Sequence, residues 1–341
     1  MTKIVQTSLK VRKEPLKSSF STSLRSVNEL TIIEFHIRTD DGHEVFGETV
    51  ETPAITGDSI EEIQLDLNRS LSSAICNKPF THAGIFFNSH VFNIAATNSA
   101  KAAVDIALYE LDAAITGRDL NAVFGASVVN LATDVTVPLS NLDQIPSLLA
   151  ARTDFSTFKV KLASQSLDTN IAKVTLIREL IGPDAHIRID PNQSWSVDES
   201  VEFLREIEKR SIRIEYLEQP VKGGDKAGLA RVRKSAETKI MADESIYTIA
   251  DLEELVALEA VDLINVKTIK SGGVTPALAI IERATELGID YSIGTMMEGD
   301  KGVKAAFLIA AAHRPDYCHD LDAAWWAVTS SLTYAAGKVS I

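Results

Sequence analysis

The sequence predicts an α/β chain in which a small α+β domain caps a closed barrel of parallel strands. Two observations carry the barrel. Charged strand ends recur through the second half: Lys159-Val160-Lys161, Asp190-Pro191-Asn192, Leu217-Glu218-Gln219-Pro220, Asp243-Glu244 and Asn265-Val266-Lys267. The steps from Lys161 through Asp190, Glu218 and Asp243 to Lys267 are 29, 28, 25 and 24 residues, each the length of a strand–helix–strand unit. A doubly wound open sheet is the rival, but it needs a glycine-rich phosphate turn after its first strand. None follows Val135–Leu139.

The elements follow in order. Leu30–Arg38 and Glu44–Val50 are β-rich runs split by Asp40-Asp41-Gly42, a hairpin signal. Helical spacing of apolar residues runs over Ser59–Ala74 and Ser99–Thr116, the first opened by Asp58-Ser59 with Glu61 and Glu62. From about Asp134 strands and helices alternate. Strands are expected at Val135–Leu139, Thr157–Leu162, His186–Asp190, Glu215–Glu218, Ile240–Ala242, Leu263–Lys267, Tyr291–Gly294 and Tyr317–Asp320, with helices such as Leu167–Leu180, Val197–Lys209 and Thr275–Leu287. Residues 1–128 form the expected capping domain, completed by the tail from about 323 to 341, and 129–322 the barrel.

The chain has 341 residues and a net charge of −13, from 34 basic and 47 acidic side chains. No basic block interleaved with aromatics is present, so no nucleic-acid partner is expected. The basic start, Met1–Ser19, lacks the apolar stretch of a signal peptide, and Ala305–Ala312 is too short to span a bilayer. Cys76 and Cys318 read as free thiols in a reducing cytoplasm. Homo-oligomer formation is left open.

Lys159 and Lys161 share one strand face, about 6–7 Å apart. Two ammonium groups so placed disfavour each other's charge, and burial adds to this, so a lysine falling from about 10.4 to about 7–8 would serve as a general base. Asp190, Glu218 and Asp243 each end an apolar strand. Burying three carboxylates together requires a cation, and all-oxygen ligands suit Mg²⁺. Glu244 is expected to point away, Asn192 to share the face of Asp190, and Lys270 to sit in a loop. Lys267 lies across the barrel mouth from Lys161, so one lysine can remove a proton and the other return it from the opposite face. A Schiff-base lysine is the chemical rival.

The stretches Thr157–Leu162 (TFKVKL), Asp190–Gln193 (DPNQ), Leu217–Val221 (LEQPV), Met241–Ser245 (MADES) and Asp262–Gly273 (DLINVKTIKSGG) resemble the muconate-lactonizing-enzyme subgroup of the enolase superfamily. The resemblance implies a (β/α)7β modified TIM barrel with Mg²⁺ on Asp190, Glu218 and Asp243. It implies that Lys159 stabilises an enolate while Lys161 and Lys267 exchange the α-proton. Asp320-Leu321-Asp322 resembles the Asp-x-Asp motif by which dipeptide epimerases hold the substrate's ammonium group. Phe20–Val27 (FSTSLRSV) is similar to the specificity loop of L-Ala-D/L-Glu epimerases, with Arg25 at the position that grips the glutamate side chain. Thr136, Thr295 and Met297 map to substrate-contacting positions, and Asn192 orients a ligand or the substrate. Pro191 and Ser194 depart from the common pattern, and Trp325 and Trp326 are read as core packing. The resemblance thus implies a cytoplasmic Mg²⁺-dependent dipeptide epimerase acting on peptides from peptidoglycan. The alternatives are a muconate cycloisomerase, an o-succinylbenzoate synthase, or a non-catalytic barrel.

Overall fold

The computed structural model describes residues 2–341. An antiparallel sheet opens the chain, with strands β1 (Ile4–Ser21), β2 (Ser26–Thr39) and β3 (Glu44–Val50) in that order. Gly42 makes the β2–β3 turn at φ +93°. The sequence reading does not anticipate β1. Its exposed Lys10, Lys13 and Lys17 mask a strand that buries Ile4, Leu16 and Phe20. Lysines along such an edge also discourage pairing with another chain.

Ser59 caps its helix as expected, exchanging hydrogen bonds with Glu62. The helix is not continuous to Ala74, however: Ile60–Asp66 leads into a wider π turn at Leu67–Leu71 and a last turn at Ser72–Ile75. Helix Asn98–Thr116 lies so close on β3 that a Cβ at Gly47 would run into Ala103 O and Ala107 N.

After β4 (Asn130–Ala132) come seven parallel strands, hydrogen-bonded in chain order. They are β5 (Val135–Val137), β6 (Thr157–Lys161), β7 (His186–Asp190), β8 (Tyr216–Glu218), β9 (Lys239–Ala242), β10 (Leu263–Lys267) and β11 (Asp290–Gly294). The strand expected at Tyr317–Asp320 is absent. His319 and Asp320 instead make single bridges to Thr133 and Gly294. Asp134 N–H donates to His319 O at 2.9 Å and Asp320 N–H to Ile293 O at 3.1 Å, so two residues close the curled sheet. The chain then turns off at Leu321, whose N–H is taken by Thr133 Oγ1.

Side chains alternate along each strand. Phe158, Val160, Ile187, Ile189, Leu217 and Ile264 join one continuous apolar core that also takes in the capping domain. The residues between them are charged or polar, buried and inward, over a small floor of Tyr216, Met241 and Leu263. The tail returns to both parts. β12 (Thr333–Ala335) pairs with β13 (Lys338–Ser340), and β13 pairs with β4. Before it, Val328 N–H donates to Pro15 O and Lys17 Nζ to Trp325 O. Among the described residues no helix is long and apolar enough to cross a membrane.

Candidate active site

The ends of β6 to β10 meet in one buried cluster. Lys161 Nζ lies 2.5 Å from Asp190 Oδ2. Lys159, one layer deeper, donates to Glu218 at 2.9 Å and to Asp320 at 2.8 Å, and stands 3.5 Å from Asp190. Lys267 donates to Asp243 Oδ2 at 2.8 Å. In strand order, Asp190, Glu218 and Asp243 lie between Lys161 and Lys267, which therefore flank them.

Electrostatics differ from the sequence expectation. Burial works to lower Lys159, but Asp320, Glu218 and Asp190 outweigh it and hold the ammonium well above its ordinary range. Lys267 is likewise pushed up, burial being outweighed chiefly by Asp243. The expected lowering by a neighbouring lysine fails at Lys159 because its ammonium meets three carboxylates. Carboxylates exceed what the lysines can neutralise. Glu244 is pushed up to about 8 by burial and by Asp243 and Asp190. Burial raises Glu218 too, with Lys159 opposing and Asp190 and Asp243 adding to it.

Glu218 Oε2 and Asp243 Oδ1 are buried and take no well-directed hydrogen bond. Each nevertheless faces a lysine ammonium, Lys159 Nζ at 2.8 Å from Glu218 Oε2 and Lys270 Nζ at 2.5 Å from Asp243 Oδ1, and this buried, hard, all-oxygen donor set fits Mg²⁺. A second acidic group, Asp134, Asp320 and Asp322, brings its oxygens within 4.8 Å of one another. Cations already answer part of it: Arg188 Nη1 is 2.7 Å from Asp134 Oδ2, and Lys159 and Asn265 both donate to Asp320 Oδ2. Asp322 Oδ2 takes the Thr136 N–H at 2.7 Å. Both Asp320 and Asp322 line the cavity above the cluster. A short-reach ammonium suits their free oxygens.

The other expected contacts surround the same cavity. Thr136, Asn192, Thr295, Met297 and Arg25 all line it, with Phe20, Leu24 and Ile55 as apolar neighbours; Asp190 and Glu218 lie beneath the lining. Thr295 N–H donates to Asp320 O. Among the described residues Arg25 makes no ion pair; its Nη1 reaches only Glu51 O, at 3.5 Å. Burial pulls this guanidinium down, with Glu51 partly opposing.

Comparison with known proteins adds to this geometry. Residues 144–340 match the family described as enolase C-terminal domain-like, and residues 3–125 the mandelate racemase/muconate lactonizing enzyme N-terminal domain. The chain belongs to this enolase superfamily. It is 35% identical to an L-Ala-D/L-Glu epimerase of Clostridium acetobutylicum, over 90% of this chain and 86% of that one. Among solved structures, the substrate-liganded L-Ala-D/L-Glu epimerase of Bacillus subtilis superposes with TM-score 0.93 at 32% identity, covering 99% of this chain and 96% of that one. The dipeptide epimerase of Enterococcus faecalis V583, complexed with Mg and L-Leu-L-Tyr, gives TM-score 0.88 at 30% identity, covering 99% and 97%. These relatives are isomerases acting on amino acid derivatives.

Within this enolase-superfamily site, two residues stand elsewhere than expected. Glu244 does not turn away. β9 ends at Ala242, so strand alternation no longer applies, and Glu244 Oε1 lies 3.3 Å from Asn192 Nδ2. Lys270 is in no exposed loop but fully buried in a short helix, donating to Asn265 O and reaching Asp243 Oδ1 at 2.5 Å. Asn265 was legible, since it shares the face of Lys267 two residues on; its Nδ2 donates to Glu218 and Asp320. Gln219 stands inside the LEQPV stretch but was given no role from the sequence. At φ +33° it accepts the N–H groups of Asp243 and Ser245 and so shapes the turn that carries Asp243. Asn192 (φ +45°) and Gln193 (φ +65°) share that left-handed backbone, a strain held by surrounding contacts at a functional rim.

Proposed function

We propose that the chain is a Mg²⁺-dependent dipeptide epimerase, preferring L-Ala-D/L-Glu, that inverts the α-carbon of the carboxy-terminal residue by 1,1-proton transfer. The observation that carries this reading is the pair Lys161 and Lys267 flanking three buried carboxylates. Asp190, Glu218 and Asp243 would hold the Mg²⁺. When bound, the ion supplies positive charge that acidifies the carbon next to the substrate carboxylate. Lys159, held as an ammonium by its three carboxylate neighbours, is placed to stabilise negative charge developing on that carboxylate. Lys161 takes the α-proton from one face while the ammonium of Lys267 delivers one from the other; the roles reverse for the opposite epimer. Asp320 and Asp322 receive the substrate's ammonium, and Arg25, which makes no ion pair among the described residues, takes the side-chain carboxylate of the second residue. Peptides released from peptidoglycan in the cytoplasm would supply such a substrate.

The test is incubation with Mg²⁺ and L-Ala-L-Glu, following L-Ala-D-Glu by chiral chromatography, beside a panel of other dipeptides and a muconate. Turnover of L-Ala-L-Glu above the panel supports the reading. Inertness toward every dipeptide sinks it, and turnover of the muconate alone would favour a cycloisomerase.

A further inference from the structure

We propose that Trp326 and Arg152 are positioning residues that fix Asp322 so that one of its oxygens faces the ammonium group of the substrate. The inference rests on the dipeptide reading above. Asp322 Oδ2 is held by two N–H donors, the backbone of Thr136 at 2.7 Å and the indole Nε1 of Trp326 at 3.1 Å. Both donors are in turn held by Arg152. Its Nε donates to Thr136 O at 2.9 Å and its Nη1 to Leu148 O at 2.6 Å. Its guanidinium carbon stands 4.9 Å from the ring centre of Trp325 and 5.0 Å from that of Trp326. The two indoles meet at 85°, so the cation fills the corner between them.

The cost of this arrangement is informative. Arg152 is 3% exposed, and among the described residues it makes no ion pair, its hydrogen bonds going to backbone carbonyls. A buried guanidinium without a direct counter-ion is expensive. Here carbonyls, two aromatic faces and the nearby charge of Asp322 compensate, and burial still brings Arg152 down to about 10. Trp326 is fully buried, with Phe20 packed edge-on against it at 5.1 Å. The frame behind Asp322 is therefore rigid, and it uses up one carboxylate oxygen. Asp322 lines the cavity, which leaves its other oxygen for the substrate. Core packing alone accounts for the ring of Trp326 but not for an indole N–H spent on a carboxylate.

Trp326→Phe keeps the ring and removes the donor. The expected result is a rise of about tenfold in KM for L-Ala-L-Glu, the loss of one hydrogen bond to a charged group, with kcat changed far less. Against an Asp322→Asn background the same substitution should add nothing further. Arg152→Lys, which keeps the charge but loses the fork and the stacking, should shift KM in the same direction. Unchanged KM, or effects of Trp326→Phe and Asp322→Asn that simply add, would overturn the inference while leaving the epimerase reading intact. A wild-type chain inert toward every dipeptide overturns both.

Discussion

Each lysine of the site is defined by the carboxylate it touches. Lys161 on Asp190 and Lys267 on Asp243 occupy the two flanks, whereas Lys159 is enclosed by Glu218, Asp320 and Asp190. Lys161→Ala and Lys267→Ala should each lower epimerisation by at least about a hundredfold, the scale of a lost general acid or base, while Mg²⁺ binding measured by calorimetry persists. Arg25→Met should raise KM for L-Ala-L-Glu about tenfold or more, as expected for a lost charged contact. It should leave a dipeptide with an apolar second residue little affected. Equal effects on both substrates would remove Arg25 from side-chain recognition.

At the scale of elements, several contacts join the capping domain to the barrel near the site, and two of them carry predictions. Ser23, in the β1–β2 turn, donates to Pro191 O at 2.8 Å and lies 3.1 Å from Asn192 O, just beyond Asp190. Ser23→Ala should loosen this loop, raising its backbone hydrogen exchange and the KM together, and Ser23→Thr should restore both. The second contact is Asp105 on helix Asn98–Thr116, which accepts the Thr275 N–H at 2.6 Å in the first turn of helix Val274–Glu286. Burial outweighs these hydrogen bonds and pushes Asp105 up to about 7. Because the folded value exceeds the unfolded value of about 3.9, the folded state binds more protons between about pH 4 and 7, and this contribution to stability is lost as pH rises through that window. Urea unfolding of Asp105→Asn should therefore show a shallower fall in stability from pH 5 to pH 8 than wild type. Identical slopes would contradict the assignment.

For the molecule as a whole, much of the barrel was legible because five consecutive strands, β6 to β10, end on or immediately before a charge that an apolar strand would not otherwise carry. Leu263–Lys267 and His186–Asp190 form as read, and helix Val197–Lys209 matches end to end. The misreadings have separable causes. β1 hides behind its lysines. The closing strand shrinks to His319 and Asp320 because two bridges suffice. Glu244, Lys270 and Gln219 depend on turns whose geometry no periodicity encodes. The reading of Trp326 as core holds, since it is fully buried in the main apolar cluster; only the role of its N–H was out of reach, because that depends on Asp322 lying beside it. The surplus of buried carboxylates also has a global consequence. Mg²⁺ at about a hundred times its Kd should stabilise the fold by about 2.7 kcal/mol, visible as a rise in Tm that EDTA reverses and that Asp243→Asn abolishes.

The central claim is that two lysines work from opposite faces of one carbon. It is tested most directly by converting L-Ala-L-Glu in ²H₂O with Mg²⁺ and reading the isotope at the α-carbon of each epimer early in the reaction. Deuterium is expected in the newly formed epimer from the first turnover, and Lys161→Ala and Lys267→Ala should each still exchange the α-proton of one epimer only, opposite epimers for the two variants. Exchange of both epimers by either single variant would point to one base serving both faces and would contradict it.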